Sequence, residues 1–168
     1  MVEAIKTNHP FASRLIRLIA YFLAGGIIAQ FFSCLGAYLL IGDTQAGGMV
    51  AHILIQHLSN YFLGGAFIIL SLANILIGRG LSGLKKIRMP ALILILVTGV
   101  TSILLIPRMD YLRETALLDG MQVMLSPFAN YFVILNSLTI ALVIIQMICS
   151  NLMAWNLSNT QSTQVAPN

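Results

Sequence analysis

His57 and Asn60 are polar side chains that lie three residues apart in a stretch, Met49 to Ile77, that has no Asp, Glu, Lys or Arg. That spacing puts both on one face of a helix. An imidazole beside a carboxamide can hold a polar solute or an ion between helices, and an ionisable side chain at membrane depth is a functional candidate by default. Taking Leu63 as the midpoint of the stretch, Asn60 lies about 4.5 Å and His57 about 9 Å toward its outer end. Gln30 and Ser33 in an earlier apolar stretch and Asn136 in a later one share that outer half. Together Gln30, Ser33, His57, Asn60 and Asn136 outline a polar cavity opening outward. The competing reading is a neutral His57 that bonds to Asn60 or Gln30 and serves only to join helices.

A second group, Arg108, Asp110 and Arg113, interleaves with Met109, Leu112 and Ala116 at helical spacing. This pattern predicts an amphipathic helix on the outer surface, its charges either solvated or facing lipid headgroups. No metal site is expected. His52 and His57 are about 140° apart around a helix, and His52's same-face neighbour Gln56 is a poor transition-metal ligand. Cys34 and Cys149 fall about 16 Å apart in depth, too far for a disulfide, so both are expected as free thiols. The eight Met are dispersed as filler. No paired intramembrane carboxylates, glycine-rich phosphate loop or Ser/His/Asp set stands out, and no cofactor is implied.

The elements that must position these residues follow from composition. Of 168 residues, 58% are apolar and 8% charged, with mean hydropathy +0.91, against roughly 25% charged in a soluble domain. So few charges cannot coat a water-soluble fold. Four charge-free stretches predict spans at about 18–42, 49–77, 91–106 and 131–157. The third is short; it takes in Met89 and Pro90 at its start, with Pro90 in the first helical turn, and Arg108 snorkels beyond Pro107. The first is too long for a signal peptide and has no cleavage site after it.

Asp43 to Gly48 reads as a tight turn between the first two spans. The long connection from Pro107 to Asn130 holds the surface helix, which breaks near Gly120 and ends at Ser126-Pro127. Ser158 to Asn168 reads as a polar, disordered tail, leaving 1–157 as one four-span domain. Ser59-Asn60-Tyr61-Phe62 and Ala129-Asn130-Tyr131-Phe132 hint at a tandem repeat.

Charge sets the orientation. Lys6, Arg14, Arg17, Arg79, Lys85, Lys86 and Arg88 with Glu3 give one side +6, while Arg108 and Arg113 with Asp43, Asp110, Glu114 and Asp119 give the other −2. Both termini are therefore expected in the cytoplasm, with the protein in a cell membrane of the bacterial inner-membrane type. The net +4 is an orientation signal and needs no nucleic-acid partner. Each span also carries small and polar residues at helical steps, among them Gly26, Gly64 and Ser71 as packing positions.

The order of Gly26, Phe31-Phe32 and Tyr38-Leu39-Leu40, then Gln45-Ala46-Gly47, Asn60-Tyr61-Phe62-Leu63-Gly64, Ile106-Pro107-Arg108-Met109 with Leu112-Arg113, and Ser126 to Asn136, resembles a four-span membrane family. That family is the domain of unknown function 4149, which includes transmembrane protein 205. The likeness covers about residues 20 to 146. It implies a membrane tetraspan with links to metal or drug tolerance. The family places a His before the position of Asn136, and this chain has none.

The expected fold is all-α, an integral membrane antiparallel four-helix bundle with an amphipathic surface helix between spans three and four. The leading function is a non-enzymatic accessory or interaction protein that meets membrane lipids and either a membrane-protein partner or a second copy of itself. The alternatives are a small-solute or metal-ion permease and a membrane enzyme acting at the outer surface.

Overall fold

Asp43 opens the second helix in the way its side chain allows: its backbone is extended, and Oδ1 accepts a hydrogen bond from the Gln45 amide at 2.8 Å. That satisfies one of the amides a helix start leaves without a partner. In the computed structural model, which describes residues 10–162, helix α1 spans Pro10–Leu40 and α2 spans Thr44–Gly78. The turn joining them is therefore shorter than the sequence suggests, and Gln45 to Gly48 already belong to α2. A 3-10 turn, Ser82–Leu84, leads into α3, Lys85–Gly99. A π-helical segment, Val100–Leu105, then passes directly into α4, Ile106–Leu118. A second 3-10 turn, Val123–Leu125, precedes α5, Ala129–Ser162.

The fold is all-α. Four helical rods, Phe11–Leu40, Gln45–Gly78, Ser82–Leu118 and Ala129–Asn159, are long and apolar enough to cross a membrane. In three of them only 28% of the most apolar window is buried in the bundle, although mean hydropathy there reaches 1.9 to 2.4. The remaining apolar faces look outward, as lipid requires. This is a multi-pass membrane protein. α1 packs on α2, α2 on α3, α3 on α5 and α5 on α1, closing a four-sided antiparallel bundle.

The segment after Pro107 is helical and buries Met109, Leu112 and Ala116, the apolar positions its spacing marked. It differs from the expected surface helix in being continuous with the third span. Pro107 was expected to end that span. Instead the π turn just before it, where the Ile106 amide reaches five residues back to Thr101, absorbs the proline's missing N–H and its ring. Pro90 likewise lies inside α3 rather than at its first turn, because the helix begins at Lys85.

α4 ends where Gly120 takes φ +70, with the Gly120 amide donating to Leu117 O and the Met121 amide to Ala116 O. Gly80, at φ +98, closes α2 the same way. A Cβ at Gly120 would meet nothing within 4 Å, so Gly120→Ala is expected to cost about 1–2 kcal/mol from the left-handed backbone alone. Thermal unfolding in detergent micelles measures it; no loss would mean that the turn relaxes.

α5 runs through Ser162, so 158–162 are helical where a tail was expected, and the rest of that tail lies outside the described residues. The two Asn-Tyr-Phe stretches share a pattern, with Phe buried and Tyr exposed, but Phe62 sits midway along α2 and Phe132 in the first turn of α5. They are not equivalent positions of a repeat.

The core divides in two. A larger apolar cluster, including Ile16, Leu23, Phe62, Ile69, Leu94 and Met153, fills the half toward the basic 79–88 connection. A smaller one, Ile55, Ile106, Met109, Leu112, Ala116, Val123 and Phe132, fills the half toward the α1–α2 turn.

Candidate functional site

The strongest concentration of charged chemistry lies at the α1–α2 turn end and centres on a histidine the sequence did not single out. His52, 1% exposed, points from α2 toward α4, where its Nδ1 lies 2.8 Å from Asp110 Oδ1. Arg113, one turn further along α4 and 4% exposed, brings Nη1 to 3.3 Å from the same oxygen and 3.4 Å from His52 Nδ1. A carboxylate oxygen and a guanidinium nitrogen cannot both be donated to by, and donate to, the same ring nitrogen. The short contact decides: Nδ1 carries the hydrogen and donates to Asp110, and Arg113 donates to Asp110.

Phe132 covers this group, with the Arg113 guanidinium 5.4 Å and the His52 ring 6.4 Å from its ring centre. Three helical rods are thereby tied together, α2 through His52, α4 through Asp110 and Arg113, and α5 through Phe132. Two adjacent glycines let the partners in. A Cβ at Gly47 would fall 2.9 Å from the Ala37 carbonyl oxygen, so α1 and α2 touch backbone to backbone there. A Cβ at Gly48 would fall 3.0 Å from Arg113 Nη2 and 3.3 Å from Tyr38 Oη, the space those two groups use.

A carboxylate orienting an imidazole through Nδ1 is an arrangement that can make Nε2 a base or a ligand. Here Nε2 is buried, without a hydrogen-bond partner, as is Arg113 Nε. In this conformation the cluster acts as a clasp. Among the described residues no three His, Cys, Asp or Glu side chains group as metal ligands. Cys34 donates weakly to Ala51 O at 3.7 Å, Cys149 packs in the larger apolar cluster, and both are free thiols.

The clasp's depth follows from charge. From Arg88 to Arg108 the third rod has no charged side chain, and those 20 steps span about 30 Å, the thickness of the hydrocarbon layer. Asp110 and Arg113 therefore lie at its edge. Exposed Arg108 marks the same level, resting over Tyr111 and Tyr131 at 5.6 and 5.9 Å, an arrangement suited to a membrane interface. Of the three predicted surface charges, then, Arg108 is exposed, Asp110 half-buried and Arg113 buried.

The five residues of the expected cavity do not converge. Gln30 is buried at 1%, with neither amide atom partnered among the described residues. Asn136 is half-buried, while Ser33, His57 and Asn60 are exposed on the outside of the bundle. On α2 the inward positions are His52, Ile55, Ser59, Phe62 and Ala66, which turns the His57 and Asn60 face away. Of the predicted packing positions, Gly26 lies against α2, its Cβ site 2.9 Å from the Phe62 ring. Gly64 and Ser71 lie on the same outward face as His57, and Gly65 takes the packing role at 3.1 Å from Leu23. An open apolar groove of about 530 Å³ runs between Phe31 of α1 and the Ile144 to Trp155 part of α5, facing lipid.

No family model, curated protein or solved structure matches this chain.

Proposed function

We propose that this membrane protein is non-enzymatic and works by assembling within the bilayer, using the outward face of α2 against a transmembrane helix. One observation carries the reading: Gln56, His57, Asn60, Gly64 and Ser71 are exposed on one side of α2 at membrane depth. Lipid tails offer these side chains no hydrogen bonds, whereas a neighbouring helix does. Among the described residues nothing comes within 4 Å of a Cβ at Gly64, so its lack of a side chain serves close approach from outside. The stripe carries no Asp, Glu, Lys or Arg, and its amides donate and accept alike. It is therefore complementary to itself, and a second copy of the chain is the occupant it fits. The positive-inside rule puts both termini in the cytoplasm, and the likeness to the transmembrane protein 205 family belongs to the same proposal.

The test is native mass spectrometry of the full chain released from mild detergent. A dimer is expected, lost in Asn60→Leu and Gly64→Leu while the helical content of the chain stays unchanged. A wild-type monomer, or a dimer indifferent to both variants, overturns the reading, as does a different protein bound in the dimer's place. A second reading, a small-solute permease, draws on the buried amide of Gln30; a transport assay that fails on Gln30→Leu and tolerates Asn60→Leu favours it.

A further inference from the structure

Between the two apolar clusters the bundle interior changes character, and every rod contributes a buried polar side chain to the gap. α1 supplies Gln30, α2 Ser59, the third rod Thr98, Thr101 and Ser102, and α5 Gln146. All but Ser102 are 1% exposed or less. Contacts fix their common depth. Gly26 lies opposite Phe62 and Cys34 opposite Ala51, so Gln30 falls within about a turn of Ser59. Phe31 shares a groove with Ile144, Met147 and Ile148, which brings Gln30 to the level of Gln146. Gln146 Nε2 reaches Thr101 Oγ1 across the interior at 3.4 Å.

Five atoms of this layer have no hydrogen-bond partner among the described residues: Gln30 Nε2 and Oε1, Ser59 Oγ, Thr98 Oγ1 and Gln146 Oε1. Each orphaned buried polar atom costs about 1–3 kcal/mol, and the surrounding hydrocarbon cannot relieve it. The orphans include an amide donor as well as oxygens, with no charge among them. A cation would satisfy the oxygens and repel the N–H groups, and an anion the reverse. An uncharged molecule that donates and accepts, and is small enough for a helix core, is water. The π segment adds to the site, since it turns Thr101 and Ser102 inward.

We propose that this layer is a bound-water site, in which ordered water molecules bridge Gln30, Ser59, Thr98 and Gln146 and join all four rods near mid-membrane. It is independent of the assembly proposed for the outer face of α2.

The test uses the full chain in lipid nanodiscs with ¹⁵N-labelled glutamine, reading transfer of water magnetisation to each side-chain amide by NMR. Transfer to Gln30 and Gln146 is expected at a rate comparable to that of exposed Gln56. Thr98→Val, close in shape and without the hydroxyl, is expected to lower it several-fold at both. Absence of transfer in the wild type overturns the site even if no variant folds. Transfer that persists unchanged at Gln146 in both Gln30→Leu and Thr98→Val overturns the shared bridge.

Discussion

Asp110→Ala is expected to destabilise the protein by about 3–4 kcal/mol, more than Arg113→Leu, although Asp110 is the more exposed partner. Removing the carboxylate leaves a guanidinium whose side chain is only 5% exposed without its counter-charge, and takes away the acceptor of the His52 Nδ1–H. Removing Arg113 leaves a carboxylate that is 38% exposed and can turn to water and to His52, so the loss is about 2 kcal/mol, much of it the stacking on Phe132. Because Arg113 donates to Asp110 Oδ1 directly, the double variant should lose less than the two losses added, by about 1–2 kcal/mol. Reversible unfolding of the four proteins in micelles measures the cycle. Equal single losses with strict additivity would show that the clasp does not bind the rods together.

Gly47→Ala is expected to cost more than Gly48→Ala, although the two glycines are adjacent. At Gly47 the new Cβ meets a backbone carbonyl oxygen at 2.9 Å and the Tyr38 Cα at 3.4 Å, neither of which can rotate away. α1 and α2 must then separate at their tightest point, and the loss should reach the upper end of the roughly 1–3 kcal/mol seen on overpacking. At Gly48 the obstacles are the far ends of Arg113 and Tyr38, which can swing aside, so about 1 kcal/mol is expected, mostly from loosening the clasp. Leu in place of Gly64, by contrast, should leave the fold intact, since that position opens outward. If Gly47→Ala unfolds at the wild-type temperature, the α1–α2 contact is looser than described.

Much of the architecture was legible in residue types alone. The four charge-free stretches located the four rods, although the one at 91–106 covers less than half of the rod from Ser82 to Leu118 and the first runs past the end of α1 at Leu40. A helix does not stop where the hydrocarbon does, and Arg14, Lys85 and Arg88 are helical residues like their neighbours. Helix ends were readable where a side chain or a glycine specifies them locally, as at Gly120 and Ser126, whose Oγ accepts from the Phe128 amide at 3.2 Å. Pro107 misled because proline breaks an isolated helix, whereas a π turn in a packed rod tolerates it.

The candidate site was much less legible. Depth and spacing point to His57 and Asn60, yet they face outward, while His52 has no ligand on its own helix. Its partners, Asp110 and Arg113, lie 58 and 61 residues away. Local spacing carries no trace of such a pairing, although a His, an Asp and an Arg at the same edge of the bilayer was a signal that depth alone could have supplied.

Residue types by themselves determined the solvent, the number of crossings and the approximate level of the four charge-free stretches. All three depend on the cost of placing charge or bare backbone in hydrocarbon, which is additive along the chain. Only the tertiary structure decided which way each helix face points. In water an apolar stripe identifies the buried side; in lipid both the core and the surroundings are apolar, so Ile69 in the core and Ile68 against lipid look alike in sequence. That choice rests on contacts between helices: glycine allowing backbone approach at Gly47, a ring filling the notch at Gly26, and a shared carboxylate oxygen at Asp110.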